Sequence, residues 1–382
     1  MKAIFPFALF LVLLIGCRQT SLPEHYSAIQ MPPTIYPDYS GVTVPVNIAP
    51  LRFELLVGAD EAVTRYAADD EEIICSGIKA RPRVEEWKSL MTRACGGAIT
   101  VEVYARKGEK WVRFRPFQIY VSPDSIDPWL SYRLISPSNV APEELTINQR
   151  CLENYNEQTA VLPESDESET AFSWSSDCRH FYFSSAHSVM RAGESQFNIY
   201  RLPFDSATRQ FGERELVYDA VAIGRSATQP RLSPDGRWLL FVVGERNSFR
   251  IWYHDADLWM LDLKTGKAAP LAVCNSTKSE NDPSWSSNGR WIVFTSRRGD
   301  GLFARPFIAH VDAEGQVSKS FELPTDDPDY HRQLLKSYNT PKLINKKINY
   351  EHEKIPLLRL SADSSFCRFR GAEEPHFARV PR

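Results

Sequence analysis

Several things are missing from this chain, and each absence removes a class of function. There is no Gly-x-Ser-x-Gly elbow, so no hydrolase nucleophile is signalled. There is no His-Glu-x-x-His pair for zinc and no phosphate-binding glycine loop. Seven cysteines occur, but no Cys-x-x-Cys. Charge of one sign is also lacking: 45 basic residues face 48 acidic ones, for a formal net charge of −3. Neither a nucleic-acid partner nor a polybasic membrane patch follows from that balance. After the first residues no apolar run approaches the roughly 20 residues a spanning helix needs. What is present in quantity is aromatic: 12% of the chain, including 9 Trp, as in β-rich folds.

Residues 1–17 read as a targeting segment. Lys2 is its positive end, Ile4 to Ile15 its apolar stretch, and Leu14-Ile15-Gly16-Cys17 resembles a bacterial lipobox. The resemblance implies cleavage before Cys17 and lipidation of its thiolate. Acyl chains contribute about 0.8 kcal/mol per buried methylene, so several of them anchor stably. Arg18 stands where the enterobacterial inner-membrane retention signal has Asp, which favours an outer-membrane anchor facing the periplasm. Residues 18–40, with Pro23, Pro32, Pro33 and Pro37, are expected to be a tether.

Over 41–125 short alternating segments dominate. Leu51, Phe53 and Leu55 share one strand face, Ile99, Val101 and Val103 another, and Val112, Phe114 and Phe117 mark a third near Pro116. Val84, Trp87, Leu90 and Met91 have helical spacing. The expectation is an immunoglobulin-like β-sandwich. Six cysteines remain after Cys17, allowing 15 full pairings. Cys75 with Cys95 is the pair that shares this domain, and free buried thiols are the alternative.

The most informative stretch recurs. Ser233-Pro234-Asp235-Gly236-Arg237-Trp238 is followed by Leu239-Leu240-Phe241, Ser286-Ser287-Asn288-Gly289-Arg290-Trp291 by Ile292-Val293-Phe294, and Ser175-Ser176-Asp177-Cys178-Arg179-His180 by Phe181-Tyr182-Phe183. An apolar residue (Trp174, Leu232, Trp285) precedes each copy. Ser-x-Asp/Asn-Gly is a turn, with Gly accepting positive φ. The apolar run after it suits a strand covered on both faces. A second half-unit follows each copy after about 25 residues, giving four strands per unit, a propeller blade. The copies are 58 and then 53 positions apart, longer than the usual period of about 40–45. Insertions at 185–195 and 244–255 account for the excess. The chain is therefore expected to be all-β: a sandwich followed by a five- or six-bladed β-propeller over 126–345, with a tail at 346–382.

These copies resemble the repeats of TolB-type β-propellers, which are usually six-bladed and periplasmic. The order of parts is similar to bacteroidete lipoproteins that join a small β-domain to such a propeller. Asp127-Pro128-Trp129, Gln149-Arg150-Cys151 and Lys336-Ser337-Tyr338-Asn339-Thr340-Pro341 belong to the matching phrases. Some of those proteins carry a Cys-x-x-Cys-His haem motif. This chain has Asp177-Cys178-Arg179-His180 instead, with one thiol where thioether attachment needs two. No cofactor is expected.

Propeller function lies in loops at one face of the ring and in the central channel. The inserted loops offer Arg191, Arg246, Arg250, Trp252, Tyr253 and His254, of types enriched at interfaces. They are the expected partner-binding residues of a non-enzymatic envelope lipoprotein that binds a protein or glycan. Two alternatives stand beside it: an enzyme acting on a saccharide or lactone through carboxylates meeting in the channel, and a haem-lacking relative of electron-transfer propellers. Propeller peptidases carry a hydrolase domain, for which the residues after 345 are too few. His254-Asp255-Ala256-Asp257 reads as a pinned turn rather than a metal site. The acidic run Glu164, Asp166, Glu167 and Glu169 reads as a solvated loop.

Overall fold

The computed structural model describes residues 21–136, 147–161, 172–186, 195–246 and 254–348. Those residues belong to one compact unit that ends at Ile348. Ser27–Ala28 (β1), Ile35–Tyr36 (β2), Thr43–Pro45 (β3), Phe53–Leu55 (β4), Glu61–Ala68 (β5), Glu71–Ser76 (β6) and Lys79–Ala80 (β7) precede the helix Val84–Arg93 (α1). Ala98–Lys107 (β8), Lys110–Arg113 (β9) and Phe117–Ser122 (β10) follow it. β8 is the hub of a seven-stranded sheet. β5 pairs along one edge with β6 outside it, while β9 and β10 share the other edge. β9 and β10 in turn carry β1 and β3 in parallel. The expected single strand around Val112–Phe117 is thus two, interrupted at Pro116, which has no N–H for a ladder. β2, β4 and β7 form a small antiparallel sheet.

Alternation explains how the two sheets meet. Ile99, Val101, Val103 and Ala105 of β8 are buried, as are Phe53 and Leu55 of β4. Phe53 lies 6.0 Å from the Tyr66 ring and 6.2 Å from that of Phe117. α1 turns Trp87, Leu90 and Met91 inward, and the Trp87 indole donates to Ile48 O at 3.1 Å. Two expectations are corrected. The segment expected to be a tether over 18–40 is built into the fold from β1 onward, since β1 and β2 are short edge strands, with Pro32 and Pro33 between them. Cys75 and Cys95 are free thiols, the first buried and the second exposed, so they are not joined. Burial raises the Cys75 thiol to about 11.

The remaining described strands form four-stranded antiparallel sheets, the unit of a propeller blade. Blade I begins with Trp129–Ile135 (β11), Ile147–Cys151 (β12) and Glu157–Val161 (β13). Blade II holds Phe172–Trp174 (β14), His180–Ala186 (β15), Phe197–Asp205 (β16), and an outer strand in two pieces, Gln210–Phe211 (β17) and Glu215–Tyr218 (β18). Blade III holds Ser226–Leu232 (β19), Trp238–Gly244 (β20), Asp257–Asp262 (β21) and Lys267–Pro270 (β22). Blade IV holds Glu280–Trp285 (β23), Trp291–Ser296 (β24), Arg305–His310 (β25) and Phe321–Glu322 (β26). After the short helix Tyr330–Gln333 (α2), Ser337–Ile344 (β27) returns to pair antiparallel with β11 and completes blade I. Among the described residues the blades number four, not five or six. β27 adds no further sheet, because it is spent on the first one.

The apolar run of β20 is covered on both faces, as its pattern required. Leu239, Phe241 and Val243 pack with Tyr182 and Ile199 of blade II. Leu240 and Val242 pack with Trp285, Ile292 and Phe294 of blade IV. A third cluster runs without a break from the N-terminal sheets through Leu130 and Tyr132 to Trp291, Val293 and Tyr338. The N-terminal sheets therefore share one core with blades I and IV.

The three turn copies have one geometry. The serine hydroxyl donates to the Asp or Asn Oδ1 at 2.5, 2.5 and 2.6 Å for Ser175, Ser233 and Ser286. It also accepts the N–H of the first strand residue at 2.9 Å in each. The positive-φ position is Gly236 (+74°), Gly289 (+67°) and, in blade II, Cys178 (+55°). Asn replaces Asp at 288 for a local reason. Its Nδ2 donates to Ser125 O at 2.7 Å, where a carboxylate would meet a carbonyl.

Candidate functional site

The innermost strands carry a second repeat that was not expected. The register slips between Thr228 and Arg231 in β19, between Asn281 and Ser284 in β23, and opposite Ser131 and Arg133 in β27. At each slip a residue other than glycine has positive φ: Gln229 (54°), Asp282 (52°) and Thr340 (47°). Each is followed by proline (Pro230, Pro283, Pro341), which suits a bulge because it leaves no N–H unpaired.

These bulges bring polar side chains of three blades together. Gln229 Oε1 accepts the Asp282 N–H at 2.8 Å, and Gln229 Nε2 donates to Asp282 Oδ1 at 3.4 Å. Asn339 Nδ2 and Thr295 Oγ1 each donate to Asp282 Oδ2 at 3.3 Å. Arg133 Nη2 donates to Asn339 Oδ1 at 2.6 Å. The chain from Gln229 through Asp282 and Asn339 to Arg133 ties blades III, IV and I, and its carboxylate is committed to amide and hydroxyl donors. Glu280 is likewise occupied. It is fully buried and accepts from the hydroxyls of Ser276 and Ser296, both at 2.7 Å. Among the described residues no group of three or more His, Cys, Asp or Glu gathers in metal-binding geometry.

Beside this network, where β19, β23 and β27 end, lies a cavity of about 410 Å³. Its wall is built from Arg231 and Leu232 of blade III, Ser284 and Trp285 of blade IV, Leu343 to Asn345 of the closing strand, and Asp127. The Trp285 indole donates to Arg231 O at 3.0 Å, which fixes the ring.

Blade II presents a different surface. Trp174 and Trp285 occupy the same repeat position, yet Trp285 is 8% exposed and Trp174 39%. Phe181 and Phe183 correspond to Leu239 and Phe241 and to Ile292 and Phe294, all four of which are fully buried. In blades III and IV the preceding blade supplies the cover. On blade II the rings lie against one another: Trp174 is 5.0 Å from Phe181, 5.4 Å from Phe204 and 5.9 Å from Phe211. Phe172 and Phe211 remain 41% and 50% exposed.

One cluster has catalytic residue types without catalytic geometry. His310 Nε2 is 2.8 Å from Asp124 Oδ2 and 3.2 Å from Ser122 Oγ. A base relay needs the hydroxyl and the carboxylate on opposite ring nitrogens, and here both share one. The Trp291 indole also donates to Asp124 O at 3.1 Å. The cluster is a joint between the end of β10 and blade IV.

Most of the expected partner-binding residues, Arg191, Arg250, Trp252 and Tyr253, lie outside the described residues, as does Cys17. Arg246 and His254 are both exposed and border the β20–β21 connection. Asp255 Oδ2 accepts the Glu245 N–H at 2.5 Å, the pinning of that turn. Asp257, next along, has its carboxyl raised by burial and then by Glu280.

No family model matches the chain. A curated relative, the uncharacterised peptidase YuxL of Bacillus subtilis, is 30% identical over 109 residues, which is 28% of this chain and 16% of that protein. Solved structures with similarity include TolB from Acinetobacter baumannii, at 14% identity over 69% of this chain and 85% of that one, with a TM-score of 0.26. They also include the periplasmic gluconolactonase of Pseudomonas aeruginosa, at 13% identity over 51% and 55%, with a TM-score of 0.27. An oligogalacturonate lyase in complex with manganese is 13% identical over 60% and 55%, with a TM-score of 0.23. At these scores the blades of this chain are defined by their own strand pairing.

Proposed function

We propose that this chain is a non-enzymatic, lipid-anchored envelope protein whose blades bind a protein or glycan partner. The observation that carries the reading is the aromatic face of blade II, where Phe172, Trp174 and Phe211 are exposed and Phe181 and Phe183, whose counterparts in blades III and IV are fully buried, are half-buried. Contiguous exposed apolar surface of this kind marks interaction sites. The serine and Asp/Asn side chains of the repeat turns are used up holding those turns, which leaves recognition to this face and to loop residues such as Arg246 and His254. The anchor is Cys17, with the propeller facing the periplasm from the outer membrane. We read the N-terminal module as an immunoglobulin-like sandwich, on the ground that its two sheets share a core and β3 pairs in parallel with the last strand, β10.

The test uses the full-length anchored protein, crosslinked in intact cells. Trp174→Ser combined with Phe211→Ser should lose the partner that the native chain captures, each ring contributing about 2 kcal/mol if it is a hot spot. Thermal unfolding should show the variant folded. Retention of every partner by the folded variant removes this face from the function.

A further inference from the structure

We propose that the joint between the N-terminal sheets and blades I and IV is a binding site for a small monovalent inorganic anion, of the size of chloride, held between the Arg150 guanidinium and the Tyr39 hydroxyl.

Two buried groups there lack what their chemistry requires. Arg150, in β12, is 3% exposed. Among the described residues its guanidinium forms no ion pair, and its one hydrogen bond goes to a neutral acceptor, Pro324 O. A guanidinium has five N–H donors, and a buried charge without a counter-charge is strongly unfavourable. Tyr39, between β2 and β3, is fully buried, and its hydroxyl has no hydrogen-bond partner. Buried polar atoms are nearly always paired, so an exception calls for a cause. An anion accepts from both.

The two groups belong to one place. Glu322, Tyr155, Tyr36 and Arg150 all act electrostatically on the Tyr39 hydroxyl. The Tyr155 ring, 5.8 Å from the Arg150 guanidinium, is tied through its own hydroxyl to Pro50 O at 2.6 Å.

Charge decides the class of ligand. The buried carboxylate of the joint is Glu322, and it is occupied: it accepts from Tyr36 at 3.0 Å and lies 2.6 Å from His331 Nδ1. Asp326 pairs with Arg52. A second buried guanidinium, Arg305, donates to Lys336 O at 2.7 Å and Leu334 O at 2.6 Å. Two buried guanidiniums thus face one buried carboxylate, an excess of one positive charge. The exposed Asp300 offsets Arg305, so the excess falls on Arg150. With Arg150 and Tyr39 both enclosed, the missing acceptor is an ion of about a water's size.

The experiment is equilibrium urea unfolding of the full-length chain in sodium chloride and in sodium gluconate at equal ionic strength, so that screening is the same. Chloride should raise the folded-to-unfolded ratio saturably, by about a hundredfold at 100 times its Kd. Gluconate, too large for the joint, should not. Tyr39→Phe keeps the ring and removes the hydroxyl. In gluconate it should be at least as stable as the native chain, because a buried unpaired group is gone. Its affinity for chloride should fall about tenfold or more, the value of a hydrogen bond to a charged group. Arg150→Met should abolish the chloride response, and should that variant not fold, Tyr39→Phe carries the test. Crystals of the native chain soaked in bromide should show an anomalous peak beside Arg150. Trp174→Ser with Phe211→Ser should leave the chloride response unchanged, so that failure of the blade II face and failure of this site give different results. The proposal is overturned if chloride and gluconate stabilise equally, which would leave the Tyr39 hydroxyl to a water. It is also overturned if Tyr39→Phe responds to chloride as the native chain does, or if bromide gives no peak.

Discussion

Cys178 stands where the other two turns place glycine, at a φ of +55°. A side chain there costs roughly 1–2 kcal/mol over glycine in the folded state. Glycine gives back about 0.5–1 kcal/mol through the entropy of the unfolded chain. The first effect is the larger, so Cys178→Gly should stabilise the protein by about 1 kcal/mol in urea unfolding. A loss of stability would mean that the thiol makes a contact that outweighs the strain. The turn itself was legible from residues alone, because Ser, Asp/Asn and Gly each have a local reason to be there. The bulge also has a signal in the sequence, a proline at a fixed distance within each repeat. Pro230, Pro283 and Pro341 each stand three positions before Ser233, Ser286 and Ile344. The polar network that the bulges assemble was not legible, since nothing near Asp282 in the chain points to Asn339.

Besides their shared apolar cluster and hydrogen bonds, blades III and IV meet in a tight contact between their turns. Gly315 follows β25 with φ +84°, and a Cβ there would lie 2.3 Å from the Trp238 ring at the start of β20. Arg237 Nη1 donates to Ala313 O at 3.1 Å beside it. A rigid indole cannot yield as a flexible chain could. Gly315→Ala should therefore cost about 2 kcal/mol or more, from overpacking plus the strained backbone. Adding Trp238→Leu should restore part of the loss in a double-mutant cycle. Purely additive losses would show that the two residues do not touch. The existence of strands with both faces covered followed from their continuous apolar runs. The openness of blade II did not, because Phe181 and Phe183 are as apolar as their counterparts. Exposure depends on the neighbour, and the neighbour is not encoded in the strand.

For the whole molecule, the decisive joint is around His331, which is buried between Glu322 of β26 and Tyr338 of β27. Nδ1 lies 2.6 Å from Glu322 Oε1, which also accepts from Tyr36 of the N-terminal module at 3.0 Å. Burial lowers the His331 imidazole below its ordinary value, an effect that Glu322 opposes only in part. The unfolded chain takes up this proton near pH 6.5, whereas the folded chain resists it to lower pH. Stability should thus fall as pH drops below about 6.5 and go on falling until the folded imidazole is protonated. His331→Gln should flatten that part of the unfolding temperature profile between about pH 7.5 and 5.5. An equally steep profile in the variant would assign the acid sensitivity elsewhere. The described residues hold four blades where five or six were expected, and the cause is topological: β27 returns to β11 instead of starting a sheet of its own. The return of β27 to β11 has a consequence for biosynthesis. Gln149 of blade I and Ile348 after the closing strand, hydrogen-bonded at 2.7 Å, are 199 positions apart. The first blade to leave the ribosome is thus the last to be finished. Until β27 has been made, after all of blades II to IV, β11 has an open edge.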